Sequence, residues 1–467
     1  MNILKVVLLI LLVFIPLYPK FPLTGVEGTY VAIRIDDVVV GSAVFLWFLF
    51  QLKNRLPIMK DRVFRLFLLY WLVGLTANLS ALAITDLIDL KLAFLHWLRR
   101  IEYMSLFLVV RDALKTKTDL SEAIAAIWLA LVGVFIYGMG QKYWGWPVIS
   151  TMNEEFSKGI LLYLDKWTRI SSTFAGHYDL AAWLMMVLSL SPAVFFWVKK
   201  RWGQFLIIIS FFLGFHLLIL TASRISFVAY LIGISATLVW LRKYWWIIPI
   251  VGLSLFWGVQ SRELNARLAV SFKSVPAIGT RISQKIALLG RPTEKPALPT
   301  PTPLKKPTPT PKRVNQPRQP PPKPKKIKEI RTWPTPEEAA VAAVRSSNIR
   351  FKVEWPRATR AFLKNPLLGT GYSSLGLATD NDYLRLLGET GLLGFLSFLL
   401  IIFHLLKEFC LVSWQKRQGW PLAAGFVGAI IGFLANAIFI DVFEASKVAF
   451  YFWMLMGIGY RITNSKS

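Results

Sequence analysis

Residues 178–198 read YDLAAWLMMVLSLSPAVFFWV, residues 204–221 read QFLIIISFFLGFHLLILT, and Lys199-Lys200-Arg201 stands between them. Each run approaches the roughly 20 largely apolar residues that a helix needs to cross a bilayer's hydrocarbon core. Outward from this hairpin, comparable runs stand at about 3–19, 36–52, 63–83, 91–110, 121–140, 224–241, 243–260, 383–406, 420–440 and 446–461. The expected fold is therefore all-α: a polytopic membrane bundle of about twelve transmembrane helices. The run at 91–110 is the least apolar, because Arg99, Arg100 and Glu102 lie inside it.

The composition agrees. Of 467 residues, 55% are hydrophobic, 17% charged and 14% aromatic, with 19 Trp, a balance suited to lipid with aromatic side chains at its interfaces. The net charge is +28. In a soluble chain that would suggest nucleic acid; here much of it sits in short loops between apolar runs, so membrane topology explains it and no nucleic-acid partner is expected. The single cysteine, Cys410, allows no internal disulfide. The N-terminus has a signal-like Lys5 and apolar run, but Pro16-Leu-Tyr-Pro19 follows in place of a small-residue cleavage site. It reads as an uncleaved first helix.

Placing the N-terminus in the cytoplasm puts the short basic clusters on one side: Lys53 to Arg62, Arg111 to Lys117, Lys199 to Arg201, Arg242-Lys243, Lys407 to Arg417, and Arg461 with Lys466. The alternate loops, 20–35, 84–91, 140–177 and 440–446, are poorer in Lys and Arg for their length. This is the positive-inside pattern, and dropping one helix would break it. It predicts a multi-pass protein of the cytoplasmic membrane with both termini cytoplasmic. Residues 1–260 would form helices one to nine, 261–382 a large external loop, and 383–467 the last three helices. The loop is basic yet external, which long loops tolerate. Its centre, 291–328, includes Pro299-Thr-Pro-Thr-Pro303 and Pro320-Pro-Pro322; it should be extended or disordered, serving as a spacer or touching acidic wall polymers. Short helices should follow over 335–364: one capped by Thr335-Pro336-Glu337-Glu338, another from Arg350 to Lys364, kinked near Trp355-Pro356.

The stretch that carries chemistry comes next: Asn365-Pro-Leu-Leu-Gly-Thr-Gly-Tyr372, then Asp380-Asn-Asp-Tyr-Leu384, then Glu389-Thr-Gly-Leu-Leu-Gly394. Residues 350–395 resemble the signature region of the O-antigen ligase and polymerase superfamily. Upstream, Arg169-Ile-Ser-Ser-Thr-Phe-Ala-Gly176, Leu220-Thr-Ala-Ser-Arg224 and Arg34-Ile-Asp-Asp37 resemble further family segments. The resemblance covers most of the membrane body and omits the Pro-rich insert. It implies a glycosyltransferase for surface polysaccharide assembly. Such an enzyme moves a glycan from an undecaprenyl-pyrophosphate carrier to a lipid, protein or glycan acceptor at the outer face of the membrane. No metal or other cofactor is implied.

By the same resemblance, Arg224 and Arg350 would clamp the pyrophosphate. The chemistry favours arginine there: its planar fork binds phosphate oxygens in pairs and stays charged. Where the family places a histidine before Asn-x-Tyr-Leu, this chain has Asp380, which could accept the acceptor's proton or simply cap the following helix. Asn381 beside it, Glu389 at the membrane mouth and His177 as a substitute base complete the candidate catalytic set. Asp36-Asp37 would either bind a cation or pair with Arg34. Arg99, Arg100 and Glu102 should pair inside the bundle or face a cavity. The alternative function, a flippase for a lipid-linked glycan, would want an internal repeat and midplane polar groups; the halves show no convincing repeat.

Overall fold

Apolar runs become helices because a buried or lipid-facing backbone must satisfy its own hydrogen bonds. The computed structural model describes residues 3–25, 32–84, 89–149, 161–162, 169–261, 264, 348–376 and 378–463. The described chain forms α1 (Ile3–Leu17), α2 (Ile35–Lys53), α3 (Arg62–Ile84), α4 (Leu90–Ala113) and α5 (Lys117–Tyr143). It continues through α6 (His177–Trp197), α7 (Arg201–Leu220), α8 (Arg224–Trp240) and α9 (Ile247–Gln260). After the insert come α10 (Trp355–Lys364), α11 (Asp382–Trp414), α12 (Trp420–Ala437) and α13 (Ser446–Thr463). Each run expected to cross the membrane is helical. The largest difference in length is at α11, which continues two turns beyond its expected end.

Among the described helices, seven are long and apolar enough to cross a membrane: α2, α3, α5, α6, α7, α11 and α12. The apolar helices α1, α8 and α9 are shorter. The all-α expectation needs one addition. Two small antiparallel pairs decorate the loops, β1 (Pro22–Gly25) with β2 (Ala32–Arg34), and β3 (Val148–Ile149) with β4 (Leu161–Leu162). The Pro-rich insert and the helix expected from Thr335 lie outside the described residues. Arg350–Glu354 forms a widened π-helical turn that leads into α10, with Pro356 early in that helix, where its missing N–H costs nothing.

Local signals set several helix starts. Thr116 and Asp119 cap α5 reciprocally, the hydroxyl accepting from Asp119 N–H and the carboxylate from Thr116 N–H. Ser223 caps α8 through Ser226 N–H. The packed centre is α12 between α6 and α8. Gly428 lies so close to α8 that a Cβ there would sit 2.5 Å from the Gly233 carbonyl oxygen. Small residues permit this approach, which is how helices associate where lipid offers no hydrophobic drive. Thr237 of α8 then donates to the Ser189 carbonyl of α6 at 2.8 Å.

Pairs between helix ends define two ends of the bundle. At one, Lys5 pairs with Asp119 and Glu122, Arg111 with Asp61, and Arg461 reaches the Lys115 carbonyl. At the other gather the C-terminus of α1 and the N-termini of α2, α6 and α13: Lys20 lies 3.9 Å from Asp179, Arg34 bonds Ser446, and Lys447 donates to the carbonyls of Pro16, Tyr18 and Thr173. Lys447 is fully buried, so these carbonyls and the ring of Phe174 serve as its solvent.

Candidate functional site

The two glycine motifs, Asn365–Gly371 and Glu389–Gly394, are halves of one structure. Gly391 has φ +63° and interrupts α11 after its second turn. The interruption frees backbone groups, and the loop before the helix takes them. Gly371 N–H donates to Glu389 O at 2.9 Å and Thr370 N–H to Gly388 O at 2.9 Å. Leu392 N–H donates to Pro366 O at 2.8 Å and Leu393 N–H to Leu367 O at 3.1 Å. The segments touch backbone to backbone. A Cβ at Gly369 (φ +69°) would sit 2.5 Å from the Glu389 carbonyl carbon, and one at Gly391 would strike Leu367. Only glycine has both the left-handed conformation and the clearance. Asn365 pins the loop at both ends, accepting from Leu368 N–H and donating to Ser80 of α3.

This lacing holds the first turns of α11 over the α12–α13 connection. Arg385 is the hub: Nη1 reaches Glu389 at 3.3 Å and Nη2 reaches Asp441 at 3.0 Å. Arg100 of α4 pairs with Glu444, donates to the Phe443 carbonyl at 2.9 Å and lies over the ring of Tyr372. Asp382 accepts from Val442 and Phe443 N–H. Asp441 accepts from Thr379 and Asn381 N–H. A small enclosed cavity of about 20 Å³ remains among Tyr70, Arg100, Arg385, Glu389 and Glu444. Sequence reasoning had singled out Arg100 and Glu389 of this network. It missed Arg385, whose signal was the i, i+4 spacing from Glu389, and it missed Asp441 and Glu444, because spacing across some 60 positions carries no signal.

Beside this frame stand the expected phosphate ligands. Arg350 is buried, and its Nε donates to Asp380 Oδ2 at 2.8 Å. Arg224, at the first position of α8, lies close enough to Arg350 and Tyr178 to interact with both electrostatically. Tyr178 packs on His177, whose Nε2 is 2.6 Å from Arg169 Nη1. Arg169, His177, Arg224, Arg350 and Asp380 thus occupy one neighbourhood, although they span more than 200 positions.

Several expectations change in detail. Asp380 does not cap α11. Asn381 does, accepting from Leu384 N–H at 2.9 Å, while Asp380 itself sits at φ +51° with its carboxylate turned to Arg350. The Asn381 side-chain oxygen is therefore committed to the helix. His177 Nε2 faces a guanidinium and serves as its acceptor, so that lone pair is already engaged. The Asp36–Asp37 pair does not bridge to Arg34 through its guanidinium. Asp37 accepts the backbone N–H of Arg34 and pairs with Arg99 at 3.8 Å, and Asp36 is fully buried. Glu354, one helical turn after Arg350, enters the site unpredicted; its signal was the i, i+4 spacing from that arginine.

Burial pushes the Asp380 carboxyl above the ordinary aspartate range; Arg350 pulls it down and Asp441 pushes it up. Glu354 is raised as well, by burial first and then by Asp380 and Asp441, with Arg350 opposing. The arrangement offers fixed cations beside two carboxyls of elevated basicity, which is what neutralising a leaving anion and receiving a proton requires.

Residues 209–399 match the family model described as O-antigen ligase. This stretch contains Arg224, Arg350, Glu354, Asp380 and Glu389, and also the laced glycine motifs. No curated protein matches the chain.

Proposed function

We propose that the chain, whose residues 209–399 match the O-antigen ligase family model, belongs to the O-antigen ligase and polymerase superfamily and is a glycosyltransferase of surface polysaccharide assembly. The donor is a glycan on undecaprenyl pyrophosphate, and the acceptor presents a hydroxyl from a lipid, a protein or a growing chain. The reaction runs at the outer face of the cytoplasmic membrane, with no metal or nucleotide. Twelve helices cross the membrane in this reading. Both termini and the turn at Lys199-Lys200 are cytoplasmic, and residues 261–382 lie outside.

The observation that carries this reading is the meeting of Arg224 and Arg350 at one end of the bundle, with Asp380 bonded to Arg350. The acceptor oxygen attacks the anomeric carbon, the bond from that carbon to the phosphate oxygen breaks, and the pyrophosphate leaves with the bonding pair. Two arginines that already repel one another are stabilised by an arriving dianion, and most where its charge is greatest, on the leaving oxygen. Asp380 takes the hydroxyl proton. Its bond to Arg350 aims the guanidinium by Nε and, among the described residues, leaves the two terminal nitrogens for phosphate oxygens. Loss of one such donor costs on the order of 10²–10³ in rate.

The test is the cell-surface glycan. Arg224→Ala at normal protein level should leave the polymer short or unattached. An unchanged glycan would remove the basis for the proposal. The flippase alternative gains no support from any described feature.

A further inference from the structure

At the end of the bundle away from the site, α6 and α7 turn through Val198-Lys199-Lys200, and beside that turn a groove of about 670 Å³ runs between α5, α6 and α7. Its mouth is lined by Lys199, Lys200 and Ser121, its sides include Trp128 and Trp197, and its far end reaches Ser210. Below the mouth, almost every lining residue is apolar.

Three features identify what fits. The first is length. From Lys200 to Ser210 is ten helical residues, or about 15 Å at ~1.5 Å per residue, which is half of a hydrocarbon core about 30 Å thick. The groove is one leaflet deep. The second is access: Leu129 and Leu206 on its rim are 62% and 47% exposed, so the groove opens sideways to lipid. The third is charge. Lys199 and Lys200 are exposed and, among the described residues, make no ion pair. The nearby carboxylates of Asp119 and Glu122 are both held by Lys5.

We propose that this groove is a binding site for an anionic glycerophospholipid, with an acyl chain between α5 and α7 and the phosphate on Lys199 and Lys200. A basic mouth over an apolar slot selects such a lipid over a zwitterionic one, since each nearby lysine favours an anionic headgroup. The site lies at the other end of the bundle from Arg224 and does not depend on the proposed reaction.

The experiment is native mass spectrometry of purified, delipidated protein incubated with equal amounts of phosphatidylglycerol and phosphatidylcholine. The wild-type protein should retain phosphatidylglycerol preferentially. K199Q/K200Q should lower that retention roughly tenfold or more and erase the preference. Ala125→Trp, which fills the groove from an exposed position on α5 and leaves both lysines in place, should lower it as well. Melting temperatures close to wild type would show that both variants are folded. Retention unchanged in K199Q/K200Q would overturn the proposal. Retention lost there but unchanged in Ala125→Trp would also overturn it, because the lipid would then be held at the surface by its headgroup alone.

Discussion

Arg350 Nε donates to Asp380 Oδ2 at 2.8 Å, joining the turn before α10 to the loop before α11. The carboxylate expected to receive a proton is thus bonded to the arginine expected to hold the leaving group. Ionised Asp380 anchors Arg350; protonated Asp380 loosens it. Base strength and phosphate binding are coupled through one hydrogen bond.

A pH profile should show this coupling. Burial raises the Asp380 carboxyl, so it ionises at higher pH than an ordinary aspartate. Transfer should therefore increase with pH through an inflection above 3.8, the unperturbed value. Asp380→Asn should lose that inflection along with most of the rate. Asp380→His, which restores the residue type expected from the family resemblance, should retain activity with the inflection moved toward about 6.5. A full rate with an unchanged profile in Asp380→Asn would exclude the aspartate as base.

Gly391→Ala and Gly369→Ala should both be severely destabilising. Each would force a side chain into left-handed backbone, at about 1–2 kcal/mol. Each would also drive a Cβ into backbone that cannot rotate away, at roughly another 1–3 kcal/mol. Gly41→Ala on α2 is the control, since a Cβ there meets nothing within 4 Å. Thermal melting in detergent should separate the pair from the control by several degrees. Equal melting temperatures would mean that the lacing is not what holds the kink.

Arg385→Met should leave buried Glu389 and half-buried Asp441 without this cation. Breaking one partner of a buried ion pair costs about 3–5 kcal/mol. Pairing the change with Asp441→Asn should recover part of the loss, and a double-mutant cycle measures how much. Additive losses would show that the two side chains are not energetically coupled.

Lys447→Met should loosen α1 against α13. The ammonium is the donor to carbonyls of Pro16, Tyr18 and Thr173, and leaving a buried acceptor unsatisfied costs about 1–3 kcal/mol. Faster amide hydrogen exchange around residues 14–18 than in wild type is the expected reading. Unaltered exchange there would assign the lysine no role in holding α1.

How much of this was legible in the sequence depended on the range of the interaction. Helices such as α6 and α7 were legible because a lipid environment demands a continuous apolar run, and such a run is local. The glycine motifs were visible as motifs, but their partnership was not: Gly371 bonds to Glu389 and Leu392 to Pro366 through backbone groups that every sequence possesses. Of the two roles open to Asp380, proton acceptor or cap of α11, the cap falls to its neighbour Asn381. Asp380 and Asn381 are both good caps, and only the left-handed turn at Asp380 decides between them. The link from Arg385 to Asp441 was not legible, because Asp441 lies in another loop, brought near by the packing of α11, α12 and α13; only the i, i+4 pair of Arg385 with Glu389 was local.

If Arg224 and Arg350 stabilise a departing pyrophosphate, turnover must depend on them. The most direct measurement is turnover by the purified protein in nanodiscs, supplied with an undecaprenyl-pyrophosphate oligosaccharide and candidate acceptors, without metal or nucleotide. Glycan transfer should occur in the wild type and fall by about 10²–10³ in Arg224→Ala, with product size distinguishing polymer growth from ligation. Transfer at the wild-type rate in that variant would contradict that role.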